Sequence, residues 1–327
     1  MKFQSVAILG LGAVGSYVYW GLAKKAPVDP VTGLPRTGSA LADLCVIAEG
    51  ERGEALKKEG MVINDAVYHP VVKTPSEAHG ADLLIVTLKH SGLQPALPAI
   101  RGIADGHTTI VSLMNGVESE ETIGRALGST DSILWSLVKV SSERKGRSVR
   151  FDPEAAIGII FGERAGTPEA SRRDRTDAML ELLEGTGLHH RVSEDIMKEI
   201  WLKFRLNIEV NLVQAVLDCG AGIYRDSEHG KLIRCRLGEE VTAIAAAKGI
   251  NIAAASGSST RTSSGDPRAV FSTLQDIRAG RHTEIEMFSG TVMRLGQELG
   301  IPTPYNECLY HMIRAIEEKN DGLFDYG

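Results

Sequence analysis

At 327 residues the chain is long for one hydrophobic core, so two domains are the natural division, and 43% hydrophobic with 24% charged residues is a globular composition. A formal net charge of −6 without a basic cluster argues against nucleic acid as a partner, and no apolar run reaches the roughly 18 residues of a membrane span. Cys45, Cys219, Cys235 and Cys308 show neither C-x-x-C spacing nor histidine pairing at metal-site intervals, so they read as small buried side chains in a reducing, cytoplasmic compartment, with no metal expected.

The first predicted element is a strand at Val6–Leu9 that turns through Gly10, Leu11, Gly12, Ala13, Val14 and Gly15 into a helix over Ser16–Lys25. In such a turn Gly10 permits the reversal, Gly12 lets backbone approach a pyrophosphate, and Gly15 lets helix pack on strand. The helix then aims its free N–H groups at the phosphate charge. Ala26–Leu41, rich in proline and glycine, reads as an inserted loop. Apolar bursts at Leu44–Ala48, Leu83–Leu88 and Thr109–Leu113 alternate with helical segments, the pattern of a doubly wound α/β domain with a parallel sheet. Ile133–Val140, Arg147–Phe151 and Ala156–Phe161 are expected to complete that sheet. The boundary falls in Glu163–Thr167, giving a dinucleotide-binding domain at 1–167 and a mainly α-helical substrate domain at 168–327.

In the second domain Arg172–Glu184 reads as a helix, and Ser193 as the N-cap of another that runs to Leu217. Lys231–Lys248 and Glu284–Leu299 follow, the last stopped by Gly300 and Pro302. Ala255–Pro267, almost all Ser, Thr and Gly, reads either as a mobile lid or as a plain connector.

Polar residues at strand ends are candidate ligands, because the carboxyl edge of an open α/β sheet is where ligands bind. Glu49 ends the second strand, where a carboxylate suits the ribose hydroxyls of NAD; Arg52, close by, could instead take a 2′-phosphate. Lys89 and Asn115 follow the next two strands. On the predicted helix through Trp201, Lys203, Asn207 and Asn211 are four apart and share one face, fanned by about 40° per step. Leu206, Ile208, Val210 and Leu212 lie between them, so an ammonium and two amides sit in an apolar helix and require partners. Those partners are a ligand, or a neighbouring ion pair and backbone. Ser272 and Glu284 belong to a third polar cluster, with Glu284 favoured by the dipole of the helix it opens. His90 and His282 read as surface or packing residues.

Taken together, Gly10-x-Gly12-x-x-Gly15, Val86-Thr87-Leu88-Lys89, Asn115-Gly116, Trp201-x-Lys203-x-x-x-Asn207-x-x-x-Asn211 and Ser272-x-x-Gln275-Asp276-x-x-x-x-Arg281-x-Thr283-Glu284 resemble the ketopantoate reductases, from Ala7 to about Asn306. The resemblance implies reduction of 2-dehydropantoate to pantoate by NADPH, on the way to pantothenate. It implies Lys203 as general acid, Asn207, Asn211 and Ser272 as substrate ligands, and Glu284 as the residue that orients the cofactor end and the lysine. Lys89 and Asn115 would contact the nicotinamide half, with Asn115 also near substrate. The cleft between the two domains would supply desolvation.

Four features depart from the family pattern. Glu49 stands where NADPH-using relatives commonly have arginine, which keeps NAD open as cofactor. Ala269 and Ala221 stand where asparagines are found, and the Ala26–Leu41 loop is extra. A reductase of another branched 2-oxo acid is therefore a rival reading, and a non-catalytic dinucleotide-binding regulator is a second. A small 2-oxo acid is the expected partner, and a homodimer is compatible with the chain, whose sequence does not fix its oligomeric state.

Overall fold

The computed structural model describes residues 2–167, 169–253 and 266–326, the side chains of 169–173 excepted. The lid expectation at Ala255–Pro267 thus lies, apart from its last two residues, outside the described residues. The chain divides into two compact units, Met1–Ile196 and Met197–Gly327.

In the first unit, β1 (Ser5–Leu9), β2 (Asp43–Ile47), β5 (Val71–Lys73), β6 (Leu83–Val86) and β7 (Thr109–Ser112) form a parallel sheet in the order β5-β2-β1-β6-β7. Its helices are α1 (Ala13–Leu22), α2 (Gly50–Glu59), α3 (His90–Ile103) and α4 (Ser119–Leu127). Ile8, Leu83, Leu84 and Ile85 are fully buried, which is why these strands read as continuous Val/Ile/Leu runs rather than as alternating patterns. Ala26–Leu41 is irregular chain outside this sheet, folded back on itself where Asp29 accepts the N–H groups of Val31 and Thr32.

The three later β segments do not complete this sheet. β3 (Met61–Ile63), β4 (Ala66–Tyr68), β9 (Ser142–Lys145) and β10 (Ser148–Phe151) make one separate sheet. β8 (Trp135–Lys139), β11 (Gly158–Gly162) and β12 (His190–Val192) make another. The residues leading into β8 meet the main sheet's edge at the Ile110–Ile133 bridge, Ser136 of β8 donates its hydroxyl to the Ser112 carbonyl of β7 at 2.8 Å, and β8 itself pairs antiparallel with β11. An apolar run reports that a strand is buried, not which strand it pairs with. The first compact unit extends past residue 167 through α5 (Glu169–Leu183) to β12, which adds to β11 in parallel.

The second unit is helical: α6 (Ile196–Leu217), which opens on the last residue of the first unit, α7 (Ile223–Asp226), α8 (Glu228–Ala247), α9 (Ser272–Arg278), α10 (Thr291–Leu299) and α11 (Pro304–Asn320). Ser227 caps α8 by accepting the Gly230 N–H at 3.1 Å. The helix expected over Glu284–Leu299 is broken: Glu286–Gly290 is a wide π turn, with the Gly290 N–H donating five residues back to Ile285. α11 was not foreseen. Its first N–H groups, those of Tyr305 and Asn306, are taken up by the buried carboxylate of Glu240 at 2.8 and 3.0 Å. Trp201, Phe204 and Phe288 fill the core, the last two stacked at 6.5 Å.

Among the described residues no helix is long and apolar enough to cross a membrane, and no cluster of His, Cys, Asp or Glu is placed to hold a metal ion. The cysteines divide: Cys45 is buried, and burial pushes its thiol up to about 12, whereas Cys235 and Cys308 are exposed, against expectation.

Candidate active site

The β1–α1 turn has the build its glycines predict. Gly10 holds a φ of +102°, and a Cβ there would come within 2.9 Å of Leu88 and 3.0 Å of the Thr87 carbonyl oxygen. A Cβ on Gly15 would lie 2.0 Å from the Gly10 carbonyl oxygen and 2.6 Å from Thr87 Oγ1. That hydroxyl donates to the Gly10 carbonyl and locks the turn to the end of β6. Gly12 is the N-cap of α1, with no side chain to cap it and no acidic residue in the first turn. Its Cβ direction is open, with Arg144 Nη1, at 4.0 Å, the nearest atom. Such a cradle fits the pyrophosphate of a dinucleotide.

Gly15→Ala is expected to cost about 1–3 kcal/mol of stability, because backbone cannot retreat from the methyl. Gly12→Ala should stay within about 0.5 kcal/mol of the parent and still weaken dinucleotide binding, since its methyl fills the cradle. Urea unfolding together with NAD(P)H titration checks both. A Gly15→Ala protein as stable as the parent would refute the close-packing role.

The sheet order sets the other first-unit candidates in a row along one edge. Exposed Glu49 follows β2, the glycine turn follows β1, exposed Lys89 follows β6, and half-buried Asn115 follows β7. With strands about 4.8 Å apart, Glu49 and Asn115 are some 14 Å from each other on either side of the turn. The chain after Asn115 is pinned from within. Ser112 Oγ and Ser119 Oγ are 2.8 Å apart, and Ser119 Oγ donates to the buried Glu120 carboxyl at 2.7 Å. Burial pushes that carboxyl up to about 7.

In the second unit Lys203, Asn207 and Asn211 lie on α6, the first two half-buried and Asn211 buried. Lys203 and Asn211 are thus about 12 Å apart along the axis. About 200° round the helix from Lys203 is Arg205, which pairs with Glu209 at 3.2 Å; Arg234 of α8 joins Glu209 at 3.4 Å. This anchor fixes the rotation of α6. Gln214, fully buried, donates to the Ala269 carbonyl at 3.0 Å and accepts the Phe271 N–H at 3.2 Å. It thereby sets exposed Ser272 at the start of α9 relative to the lysine helix. The two alanines that depart from the family pattern are neighbours: the Ala221 N–H donates to the Ala269 carbonyl at 3.0 Å.

Half-buried Glu284 stands just before the π turn. The residue before it, Thr283, gives both its N–H and its hydroxyl to the buried Glu317 carboxylate of α11 at 2.7 Å. His282 leans on Asp321 at 3.0 Å, in keeping with a structural role. Gln275, Asp276 and Arg281 of the same motif serve the local fold, with Arg281 paired to Asp276 at 2.8 Å.

Gln214, Glu317 and Arg144 escaped the sequence reading. Gln214 had a signal, being three residues after Asn211 inside an apolar run, whereas Glu317 belongs to an exposed-looking Glu/Lys stretch and had none.

A parallel sheet whose first turn is shaped to fit a pyrophosphate, followed by a helical unit that carries lysine and amides on one helix, defines a Rossmann-type oxidoreductase with a helical second part. Residues 6–160 match the family described as ketopantoate reductase PanE/ApbA, and residues 195–317 match its C-terminal part. The chain belongs to the ketopantoate reductase family. The 2-dehydropantoate 2-reductase of Pyrobaculum aerophilum is 27% identical over 311 residues, 95% of this chain and 97% of that protein. A PanE/ApbA family ketopantoate reductase from Ralstonia eutropha superimposes with a TM-score of 0.77 at 26% identity, covering 98% of this chain and all of the other. A D-mandelate dehydrogenase solved with NADH and anilino(oxo)acetate has a TM-score of 0.79 at 20% identity, covering 98% and 99%, a likeness of fold.

Proposed function

We propose that this oxidoreductase reduces 2-dehydropantoate to pantoate with NADPH, in pantothenate biosynthesis. The observation that carries the reading is the stripe of Lys203, Asn207 and Asn211 on a rotationally anchored helix, in a chain whose curated relatives are 2-dehydropantoate 2-reductases. The bound cofactor supplies hydride to C2 of the 2-oxo acid. Lys203 holds its ammonium against the C2 oxygen, polarises the carbonyl and delivers the proton that makes it a hydroxyl. Asn207 and Asn211 orient the substrate through its hydroxyl and carbonyl groups, and Ser272 binds the carboxylate. Gly10–Gly15 hold the pyrophosphate, Glu49 the adenosine end, and Lys89 and Asn115 the nicotinamide half. Glu284, held by the Thr283–Glu317 bonds, orients the lysine and the cofactor end.

A second reading, another branched 2-oxo acid as substrate, is favoured by the adjoining Ala221 and Ala269, which offer methyl groups where the family resemblance expects two amides. Steady-state rates decide between them. The first reading expects kcat/KM for ketopantoate to exceed that for pyruvate and for other branched 2-oxo acids, with NADPH the better reductant. Ketopantoate turned over no better than pyruvate would end it.

A further inference from the structure

The β9–β10 hairpin turns at Gly146, whose φ is +58°, and packs on α1 through Phe151, edge-on to Tyr17 at 5.1 Å and to Trp20 at 5.5 Å. This anchoring carries Arg144 to the glycine turn. Its Nε donates to the Gly146 carbonyl at 2.9 Å, and its Nη1 reaches the Leu11 carbonyl at 3.4 Å, beside the open face of Gly12. The other cations of the hairpin are neutralised: Lys145 by Glu143 at 2.9 Å, Arg147 by Glu59 at 2.9 Å, and Arg150 by Asp65. Among the described residues Arg144 has no carboxylate at ion-pair distance, and neither has Arg52 in the first turn of α2. Both residues are exposed, and the positive charge of Arg52 bears on Arg144. That repulsion, with partial dehydration as the larger cause, holds Arg144 below the usual arginine value.

We propose that Arg144 and Arg52 together form the seat of the adenosine 2′-phosphate of NADPH, so that the β9–β10 hairpin, and not the residue at the end of β2, sets the cofactor preference. The proposal rests on the NADPH reading above. Two like charges held close together without a counter-ion are unfavourable, and a phosphate dianion between them reverses the sign of the interaction. A guanidinium suits this role, because its planar fork meets two phosphate oxygens at once. The location is consistent with it: Leu11 and Gly12 begin the phosphate turn, and Arg52 follows three residues after Glu49, the position that faces the ribose hydroxyls in such folds. Glu49 alone would repel a 2′-phosphate. With two arginines beside it, the site can take one.

The test is ligand binding, read by calorimetry, with 5′-AMP, 2′,5′-ADP, NADH and NADPH as probes on the parent protein, Arg144→Ala, Arg144→Lys and Arg52→Ala. The parent should bind 2′,5′-ADP about tenfold or more tighter than 5′-AMP. Arg144→Ala should lose about tenfold or more for 2′,5′-ADP and NADPH, with 5′-AMP and NADH unchanged within about twofold and the ligand-free melting temperature unmoved. Arg52→Ala should follow the same pattern, and Arg144→Lys should recover only part of the loss, because an ammonium cannot fork. Equal losses for 5′-AMP and 2′,5′-ADP would assign Arg144 to the 5′-phosphate side and overturn the proposal. If the parent prefers 2′,5′-ADP and Arg144→Ala prefers it as strongly, the seat is refuted while the NADPH reading stands. A parent that does not distinguish 2′,5′-ADP from 5′-AMP removes both.

Discussion

Replacing Lys203 by alanine is expected to lower kcat about a thousandfold while cofactor affinity stays within about threefold of the parent. The size follows from what the ammonium is proposed to do. General acid catalysis contributes about 10²–10⁴, and a fixed positive donor at a developing alkoxide acts in the transition state far more than in the ground state. The affinity half of the expectation follows from placement: Lys203 is on α6, in the second unit, whereas the glycine cradle is built wholly from β1, α1 and the end of β6. Lys203→Arg separates charge from proton delivery, since a guanidinium polarises a carbonyl but does not give up its proton near neutral pH. It should bind substrate and turn over slowly. Stopped-flow rates at saturating substrate, with dinucleotide titration and a melting curve for each variant, are the measurement. A Lys203→Ala enzyme with parental kcat would remove the lysine from the chemistry.

Much of the fold, and the placement of the candidate residues on its elements, was legible in the sequence, and the reasons are local. The glycine turn could be read because Gly10 and Gly15 answer contacts made within one strand–turn–helix unit and the end of the neighbouring strand, while Gly12 leaves the turn open. The stripe Lys203, Asn207, Asn211 could be read because helical periodicity needs no tertiary partner to place residues on one face. The sheet assignment of Ile133–Val140, Arg147–Phe151 and Ala156–Phe161 failed because pairing is a long-range choice. β10 finds β3, some 85 positions earlier, as shown by the Ser148–Val62 and Val149–Ile63 pairs. The π turn before α10 escaped for a similar reason. It is flanked by tertiary bonds that no local pattern announces, the Thr283–Glu317 pair and the Tyr310 hydroxyl on Glu286 at 2.7 Å. Arg144 escaped because a hairpin arginine in a run of charges looks like any solvated side chain until its neighbours are seen to be neutralised and it is not.

Stability is expected to fall by about 3 kcal/mol as pH rises from about 4.5 to 8, through Glu120 alone. This carboxyl is 3% exposed at the second position of α4. Desolvation is the main cause of its rise from 4.5 to about 7, and the nearby Glu121 charge adds to it, while the Ser119 hydroxyl and the backbone N–H groups of Glu120 and Ser136 oppose it. The sign follows from which state keeps the proton. Between 4.5 and about 7 the folded protein holds it and the unfolded chain gives it up, so folding binds a proton and is favoured by acid. The full contribution is present below 4.5, is lost progressively up to about 7, and changes no further above that. At about 1.4 kcal/mol for each tenfold step in proton affinity, the interval gives the stated loss. Glu120→Gln removes the titration, retains an acceptor for Ser119 Oγ, and should therefore be more stable than the parent at pH 8 and less advantaged at pH 5. Urea unfolding of both proteins at half-unit steps of pH reads the difference directly, with every other titrating group common to the two. Parallel stability curves would show that the Glu120 carboxyl is ionised in the folded state at neutral pH. The burial that carries the argument, and the serine network that ties β7 and Asn115 to α4, would then have to admit a charge.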